Sequence, residues 1–210
     1  MSKLEEVKEL TEKGKQKEIA EAVQAAIDEG SGAIEVLNTM IDAMGIVGDK
    51  FKKSEIFVPE MLMAAHTMKK GVEVLQPLLV GEASTSLGTC VIGTVTGDLH
   101  DIGKNLVALM IESAGFKVVD LGVDVSADKF IEAVNGNDDC KVAALSCLLT
   151  TTMPALSESV KALVDAGLKD KVKIIVGGAP ITADYASEIG ADGYAEDAAS
   201  AADLAKSIIA

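Results

Sequence analysis

The sequence predicts two domains of different class, a helical domain followed by an α/β domain with a parallel sheet. Apolar residues recur at helical spacing from Leu4 to Leu79, whereas short apolar runs alternate with helical patterns after Gly88. Between them, residues 80–87 form a small, polar stretch without an apolar period, which is typical of a linker. We therefore expect a helical domain over residues 1–79, a linker over 80–87 and an α/β domain over 88–210.

The first domain should contain four helices. Ser2 and Glu5 have the spacing of a capping box at the start of the first helix. Pro59 suits the first turn of the fourth, because its ring presets φ and that turn does not use its missing amide. The apolar positions of the four helices span Leu4–Leu10, Ile19–Ile27, Ile34–Val47 and Leu62–Leu75. Four helices with short connections predict a four-helix bundle.

The second domain should alternate strands and helices. Apolar runs predict strands at Thr89–Val95, Lys117–Leu121, Val142–Leu148, Val172–Val176 and Gly193–Ala195. Helical patterns separate or follow them at Asn105–Ala114, Ala127–Val134, Pro154–Ala166, Ile181–Ile189 and Ala198–Ile209. This order requires right-handed crossovers and a parallel sheet that helices cover on both faces. A ligand is expected beyond the carboxyl ends of the strands.

Charge and composition exclude several classes of partner. The 210 residues carry a net charge of -14, which repels nucleic acid and anionic membrane surfaces. No apolar stretch approaches the roughly 20 residues of a membrane helix, and no apolar signal core follows Met1, so we expect a cytoplasmic protein. Cys90, Cys140 and Cys147 form an odd set without a Cys-x-x-Cys pair, which predicts buried free thiols.

The loop after the first predicted strand carries the most informative residue, His100. It lies in Gly97–Asn105, which reads Gly-Asp-Leu-His-Asp-Ile-Gly-Lys-Asn. A neutral imidazole is a common metal ligand, and Asp98 is placed to hold its second nitrogen and fix the tautomer. A nucleotide loop is the competing interpretation, but the chain lacks Gly-x-Gly-x-x-Gly. The Walker pattern also fails, because five residues separate Gly97 from Gly103 and Asn105 replaces its Ser or Thr.

Two further strand ends carry candidate ligand contacts. Ser146 and the threonines at 150–152 follow the third strand, although one or two of these hydroxyls could cap the helix near Pro154. Gly177 and Gly178 follow the fourth strand and either admit a ligand or form a plain tight turn. The second histidine, His66, lies within the fourth helix, where a packed or partly exposed side chain is the simpler interpretation.

Together, these elements resemble the cobalamin-binding signature. Asp98-x-His100-x-x-Gly103, Ser146-x-Leu148 and Gly177-Gly178 occur in that order on successive strand ends, and Phe57–Leu62 extends the agreement into the helical domain. The whole chain is similar to the corrinoid proteins of methyltransferase systems in methylotrophic archaea and acetogenic bacteria, and to the cobalamin module of methionine synthase. The resemblance implies a four-helix bundle that caps a Rossmann-like, flavodoxin-like domain.

The resemblance also implies a role for each matching residue. The cofactor is cobalamin or a related corrinoid, bound with its own base displaced and with His100 as the axial ligand of cobalt. Asp98 and Thr152 would complete a proton relay, with Thr152 at a position that is often serine. The remaining implied contacts with the cofactor are Gly97, Leu99, Asp101, Gly103, Ser146, Leu148, Thr150, Gly177, Gly178 and Ala198, the last in the loop after Tyr194. Phe51 and Val58 of the helical domain would cover the methyl-bearing face.

The function implied is that of a methyl carrier, which is not expected to catalyse alone. It would serve a substrate-specific methyltransferase, a second methyltransferase that passes the methyl to tetrahydrofolate or coenzyme M, and a reductive activation protein. The sequence does not name the methyl donor. Three alternatives stay open: the cobalamin-binding subunit of a radical mutase, a cobalamin-sensing regulator, and an α/β module with a metal site at Asp98, His100 and Asp101.

Overall fold

The computed structural model describes residues 2–79 and 86–209 of the chain. These residues divide into two compact units, one built from four helices and the other from the strands with their flanking helices. Most of the predicted linker, residues 80–85, lies outside the described residues. Within the described ranges, no helix combines the length and apolar character that crossing a membrane requires.

The helical unit contains the four predicted helices. They are α1 (Lys3–Glu12), α2 (Ile19–Asp28), α3 (Ala33–Lys52) and α4 (Val58–Leu79). The capping box is confirmed: Ser2 Oγ accepts from the Glu5 amide at 3.2 Å, and the Ser2 amide donates to the Glu5 carboxylate at 2.8 Å. Pro59 is the second residue of α4, in its first turn as predicted.

The bundle buries the apolar face of each helix. Its fully buried side chains include Val7, Ile19, Val23, Val36, Met40, Met61 and Leu75. Gly71 of α4 allows a close approach between helices, because a Cβ atom there would overlap the terminal methyl of Met40 in α3. The end of the Met40 side chain therefore occupies the space that a side chain at position 71 would need.

The second unit has the predicted alternation of strands and helices. Its strands are β1 (Thr89–Thr94), β2 (Lys117–Asp120), β3 (Cys140–Ser146), β4 (Lys173–Gly177) and β5 (Gly193–Tyr194). Its helices are α5 (Ile102–Ser113), α6 (Ala127–Asn135), α7 (Met153–Asp165), α8 (Ala183–Glu188) and α9 (Ala198–Ile209). Every residue of β1 is buried, as expected for a central strand covered on both faces.

The sheet is parallel and has the strand order β2-β1-β3-β4-β5. Thr94 at the end of β1 aligns with Ser146 at the end of β3, which aligns with Gly177 at the end of β4. The order reverses between β1 and β3, so the loops after these two strands open the crevice where sheets of this type bind ligands. Phe130 of α6 and Leu156 of α7 belong to the buried core on one face of the sheet.

Candidate functional site

Asp98 is the centre of the site, in the loop that leaves β1. Its side chain is completely buried. Its Oδ1 atom accepts from His100 Nδ1 at 2.7 Å and from the His100 amide at 3.1 Å. Its Oδ2 atom accepts from the amides of Leu148 and Leu149 at 2.7 and 3.3 Å and from Thr152 Oγ1 at 2.8 Å. One carboxylate therefore joins the loops that follow β1 and β3.

These donors determine the charge of Asp98. Burial by itself raises the pKa of a carboxyl group, because it disfavours the ionised form. The hydrogen bonds from Leu148, His100 and Thr152 act in the opposite direction and prevail, so that the pKa of Asp98 lies well below its usual range. The group is therefore a carboxylate at neutral pH, and it can accept only.

The tautomer of His100 follows from that charge. Because a carboxylate can only accept, His100 Nδ1 carries a proton, and in the neutral ring the free lone pair is therefore on Nε2. The His100 carbonyl accepts from Thr94 Oγ1 at 2.8 Å, which fixes the backbone beneath the ring. About half of the His100 side chain is exposed (49%), so the ring is held on one side and open on the other. This is the arrangement of a metal-binding imidazole with an orienting carboxylate.

Thr152 lies at the end of the single 3-10 turn between β3 and α7. Its hydroxyl has one proton and two acceptors within reach, Asp98 Oδ2 at 2.8 Å and the Leu149 carbonyl at 2.9 Å. It makes no side-chain cap for α7, so the capping alternative is wrong for this residue. The sequence placed Thr152 and Asp98 at one edge of the sheet, and the structure brings them into contact.

Cys147 is a neighbour of this relay that the sequence did not single out for the site. Its Sγ atom lies 3.2 Å from Thr152 Oγ1 and 3.3 Å from the Leu149 carbonyl. Burial raises the pKa of Cys147, the hydrogen bond with Thr152 lowers it, and the Asp98 charge raises it, with a net increase. The thiol is therefore a neutral partner of Thr152, and all three cysteines are buried and free as predicted.

Exposed apolar side chains flank His100 in its loop and follow the end of β3. Leu99 is 71% exposed and Ile102 is 85% exposed, and Leu148 and Leu149 at the end of β3 are each 40% exposed. Large apolar residues rarely stay this open on a protein surface unless they form an interface. Gly103, in the first turn of α5, has open space where a Cβ atom would lie. The loops that carry His100 and the Asp98 donors thus expose apolar side chains beside a half-exposed imidazole.

The predicted glycine contacts have a structural explanation within the chain. A Cβ atom at Gly178 would overlap the carbonyl oxygen of Cys147, and one at Gly177 would lie 3.0 Å from the Ala195 carbonyl. Gly178 also has φ +133°, which side chains disfavour. The close approach of protein backbone by itself requires a glycine at 178 and leaves little room for a side chain at 177, whether or not a ligand also contacts them.

The remaining predicted contacts are placed at the same edge with one difference. Ser146 ends β3 half-buried, and Thr150 is exposed in the 3-10 turn. Asp101 is exposed and its carboxylate accepts from Asn105 Nδ2 at 3.2 Å. Ala198 is the first residue of α9 and is 5% exposed, so the expectation that it lies in a loop is wrong.

In the helical unit, Phe51 is near the end of α3 and is half-buried, whereas Val58 begins α4 and is 39% exposed. His66 is exposed on α4, in agreement with the simpler interpretation of that residue.

The alternative metal site at Asp98, His100 and Asp101 is wrong, because both oxygens of Asp98 are already engaged by N–H and O–H donors. Among the residues that the structure describes, no group of three or more His, Cys, Asp and Glu could hold a metal ion.

Comparisons with known proteins agree with this geometry. Residues 88–203 match the family described as B12 binding domain, and residues 3–76 match a second family with the same description. The chain belongs to the B12-binding corrinoid proteins. Its cofactor is accordingly cobalamin or a related corrinoid, and the predicted kinship with corrinoid proteins of methyltransferase systems is confirmed.

Similar proteins cover both units of this corrinoid protein. A corrinoid protein of Desulfitobacterium hafniense (strain Y51) is 38% identical over 100% of this chain and 98% of its own length. Dimethylamine corrinoid protein 3 of Methanosarcina mazei is 46% identical over 80% of this chain and all of its own length. The methanol:cobalamin methyltransferase complex of Methanosarcina barkeri contains a chain with a TM-score of 0.84 and 32% identity. That match covers 97% of this chain and 78% of the other.

The residues at the sheet edge fit a corrinoid. A metal needs the free lone pair that His100 Nε2 offers, and a broad, largely apolar ring needs the exposed surface of Leu99, Ile102, Leu148 and Leu149. The open space at Gly103 permits close approach to the first turn of α5. His100 would hold the metal, and the apolar side chains would lie against the ring.

Proposed function

We propose that this corrinoid protein carries a methyl group between two methyltransferases and binds its cofactor base-off, with His100 as the axial ligand of cobalt. One observation carries the proposal: buried Asp98 holds Nδ1 of an exposed histidine, so that Nε2 is the nitrogen available to a metal, in a loop with exposed apolar residues. When bound, the corrinoid supplies a cobalt centre that accepts and releases a methyl group. The protein supplies position, ligand basicity and exclusion of water, and it is not expected to catalyse alone.

Asp98 and Thr152 support His100 as a relay. The carboxylate orients the ring and fixes its tautomer, as carboxylate partners of metal-binding histidines do. The Thr152 hydroxyl donates to the second carboxylate oxygen at 2.8 Å, so that a proton can be shared along the three side chains when the imidazole binds or leaves. The thiol of Cys147 is the next group along this path.

The helical unit is proposed to cover the methyl-bearing face of the cofactor. Phe51 and Val58, together with Phe57 at 66% exposure, supply apolar side chains at the junction of α3 and α4. Apolar cover would keep water away from the reacting methyl group, and the cover must move when a partner enzyme docks. We assign residues 1–79 to this cover and residues 88–210 to cofactor binding.

We propose a methylated amine as the methyl donor, handled by a substrate-specific methyltransferase. Support comes from relatives named as dimethylamine and trimethylamine corrinoid proteins, which are 46% and 44% identical over 80% and 85% of this chain. Methanol is the second candidate, because of the structural match to a chain of the methanol:cobalamin methyltransferase complex. The acceptor enzyme would serve tetrahydrofolate or coenzyme M, and a reductive activation protein would restore oxidised cofactor. Three buried free thiols support a reducing, cytoplasmic location.

The ligand assignment is tested by electron paramagnetic resonance of the cobalt(II) form after reconstitution with hydroxocobalamin. In protein labelled with 15N-histidine, the wild type should show hyperfine splitting from the imidazole 15N, and His100→Ala should lack it. His66→Ala is the matched control, because it removes the other histidine of the chain. Histidine splitting that persists in His100→Ala would contradict the assignment of His100 as the axial ligand. Methyl transfer from dimethylamine, trimethylamine and methanol, each with its own methyltransferase, then identifies the donor.

A further inference from the structure

Lys104 is a buried cation beside the site that the methyl-carrier mechanism does not use. Its side chain is 2% exposed, in the first turn of α5 and four residues after His100. Its ammonium donates to both oxygens of Asp120, at 2.7 and 2.5 Å, and to Asn105 Oδ1 at 2.6 Å. These contacts use all three N–H donors of the lysine.

An ion pair of this kind is not explained by stability alone. Removal of a lysine from water costs several kcal/mol, and its partner offsets this cost only with good geometry. Replacement of a buried ion pair by apolar residues of similar size often leaves the stability of a protein unchanged or increases it. The pair joins two specific places: Lys104 belongs to the turn that follows His100, and Asp120 is the last residue of β2. Asp120 also accepts from the Gly122 amide at 2.8 Å, which orders the start of the next segment.

The segment after Asp120, residues 121–125, holds the other side of the His100 loop. Asp124 Oδ1 accepts from the Gly97 amide at 2.8 Å, and the Asp124 amide donates to the Asp98 carbonyl at 3.0 Å. Asp124 has a φ of 52°, an uncommon conformation for a residue with a side chain. Gly122 accepts through its carbonyl from the Thr94 amide at 3.0 Å. The segment is thus bound to the end of β1 and to the two residues before Leu99.

We propose that Lys104 and Asp120 form a clasp that sets the position of His100 relative to the sheet edge. Residues 120–125 anchor the chain before His100 through Asp124 and the chain after it through Lys104. Asp98 sets the orientation of the imidazole ring, whereas the clasp sets where the whole loop lies. Lys104 and Asp120 are therefore positioning residues for the axial ligand, an inference that rests on the proposed role of His100.

The first test uses the protein without cofactor. Lys104→Met removes the charge and keeps the length of the side chain, and Asp120 is 39% exposed, so that water can solvate it. Amide hydrogen exchange at Thr94 and Asp124 should accelerate about tenfold, while amides within β3 and β4 keep their rates. Lys171→Met is the matched control, because the Lys171 ammonium is also bound within this unit, to the Val134 carbonyl at 2.8 Å. Unchanged exchange at Thr94 and Asp124 overturns the clasp.

The second test asks whether the clasp positions the ligand. In Lys104→Met, the affinity for hydroxocobalamin should fall by roughly 10–100-fold, as for other residues that support a metal ligand. The fraction of cobalt(II) protein with imidazole splitting should fall with it, and Lys171→Met should keep both. Faster exchange with full imidazole splitting would show an ordering role only and overturn the proposal. If the wild type lacks the splitting, the proposed role of His100 is wrong. Hydrogen exchange at Thr94 and Asp124 still tests whether Lys104 and Asp120 hold the loop, because it needs no cofactor.

Asp120→Asn tests the same contact from its other end if Lys104→Met does not fold. Asp120→Asn removes the charge at the more exposed end of the pair and should give the same two changes. The double variant Lys104→Met/Asp120→Asn should be no worse than Lys104→Met, because the two residues act through one contact. Additive losses in affinity would contradict a single clasp.

Discussion

Asp98 and Thr152 are 54 positions apart in the sequence, yet Thr152 Oγ1 donates to Asp98 Oδ2 at 2.8 Å. The contact links the loops after β1 and β3, the two strands at which the order of the sheet reverses. The other oxygen of the same carboxylate holds the His100 ring at 2.7 Å. A change at Thr152 therefore reaches the imidazole through one side chain.

Asp98→Asn should destabilise the protein in a pH-dependent manner. The pKa of Asp98 is lower in the folded chain than in the unfolded chain, where it is about 4. The carboxylate therefore contributes its full stability above pH 4, and that contribution is lost as the pH falls below 4. At pH 7 the variant should unfold about 2–4 kcal/mol more easily, because several donors lose a charged acceptor.

Urea unfolding of wild type and Asp98→Asn between pH 7 and pH 3 measures this difference. The gap between the two proteins should be constant from pH 7 to about pH 5 and should narrow below about pH 4. A gap that stays constant down to pH 3 would mean that Asp98 does not titrate as described.

Thr152→Val should change the redox potential of the bound cofactor more than Thr152→Ser does. Valine keeps the shape and removes the hydroxyl that donates to Asp98, which should cost about 1–2 kcal/mol of stability. It should also shift the cobalt(II)/cobalt(I) midpoint potential, because valine no longer donates a hydrogen bond to the carboxylate that holds the His100 ring. Serine keeps the donor and loses a methyl group that faces Gly97, at a cost of about 1 kcal/mol. Spectroelectrochemical titration gives the potentials, and equal shifts in both variants would point to packing instead of the hydroxyl.

Gly103→Ala should separate cofactor binding from folding. The Cβ position at Gly103 meets open space, so alanine should raise the helix stability of α5 by about 0.5–1 kcal/mol in the protein without cofactor. The same methyl group should weaken binding of hydroxocobalamin, because the position is predicted to contact the corrinoid. Gly45→Ala in α3 is the control for helix propensity, since its Cβ position is equally open. Calorimetric titration that finds undiminished affinity for Gly103→Ala would remove Gly103 from the site.

Gly178→Ala should damage folding itself. Its Cβ atom would overlap the Cys147 carbonyl oxygen, and its φ of +133° disfavours a side chain. We expect a loss of about 2–4 kcal/mol in stability, visible as a lower melting temperature of the protein without cofactor. A melting temperature equal to that of the wild type would mean that folding does not require a glycine at this position.

The sequence predicted the fold well because each element has its own local signal. Alternating apolar runs gave the strands, and Asp98 and His100 share one loop, so their contact follows from a separation of two residues. The clasp was beyond reach, because Lys104 and Asp120 meet only once β2 lies beside β1, and alternation does not give strand order. The backbone contact of Gly178 was beyond reach for a similar reason: its neighbour is the backbone of Cys147, which no side-chain pattern reveals.

Leu99 and Ile102 should make the protein prone to self-association when no cofactor is bound. With 71% and 85% of their surfaces exposed, they give newly synthesised protein exposed apolar surface next to His100 in the chain. Self-association should therefore be strongest before loading, and overproduction without a corrinoid supply should yield more aggregate than overproduction with it. A bound corrinoid that covers these two side chains would then keep its own carrier from associating.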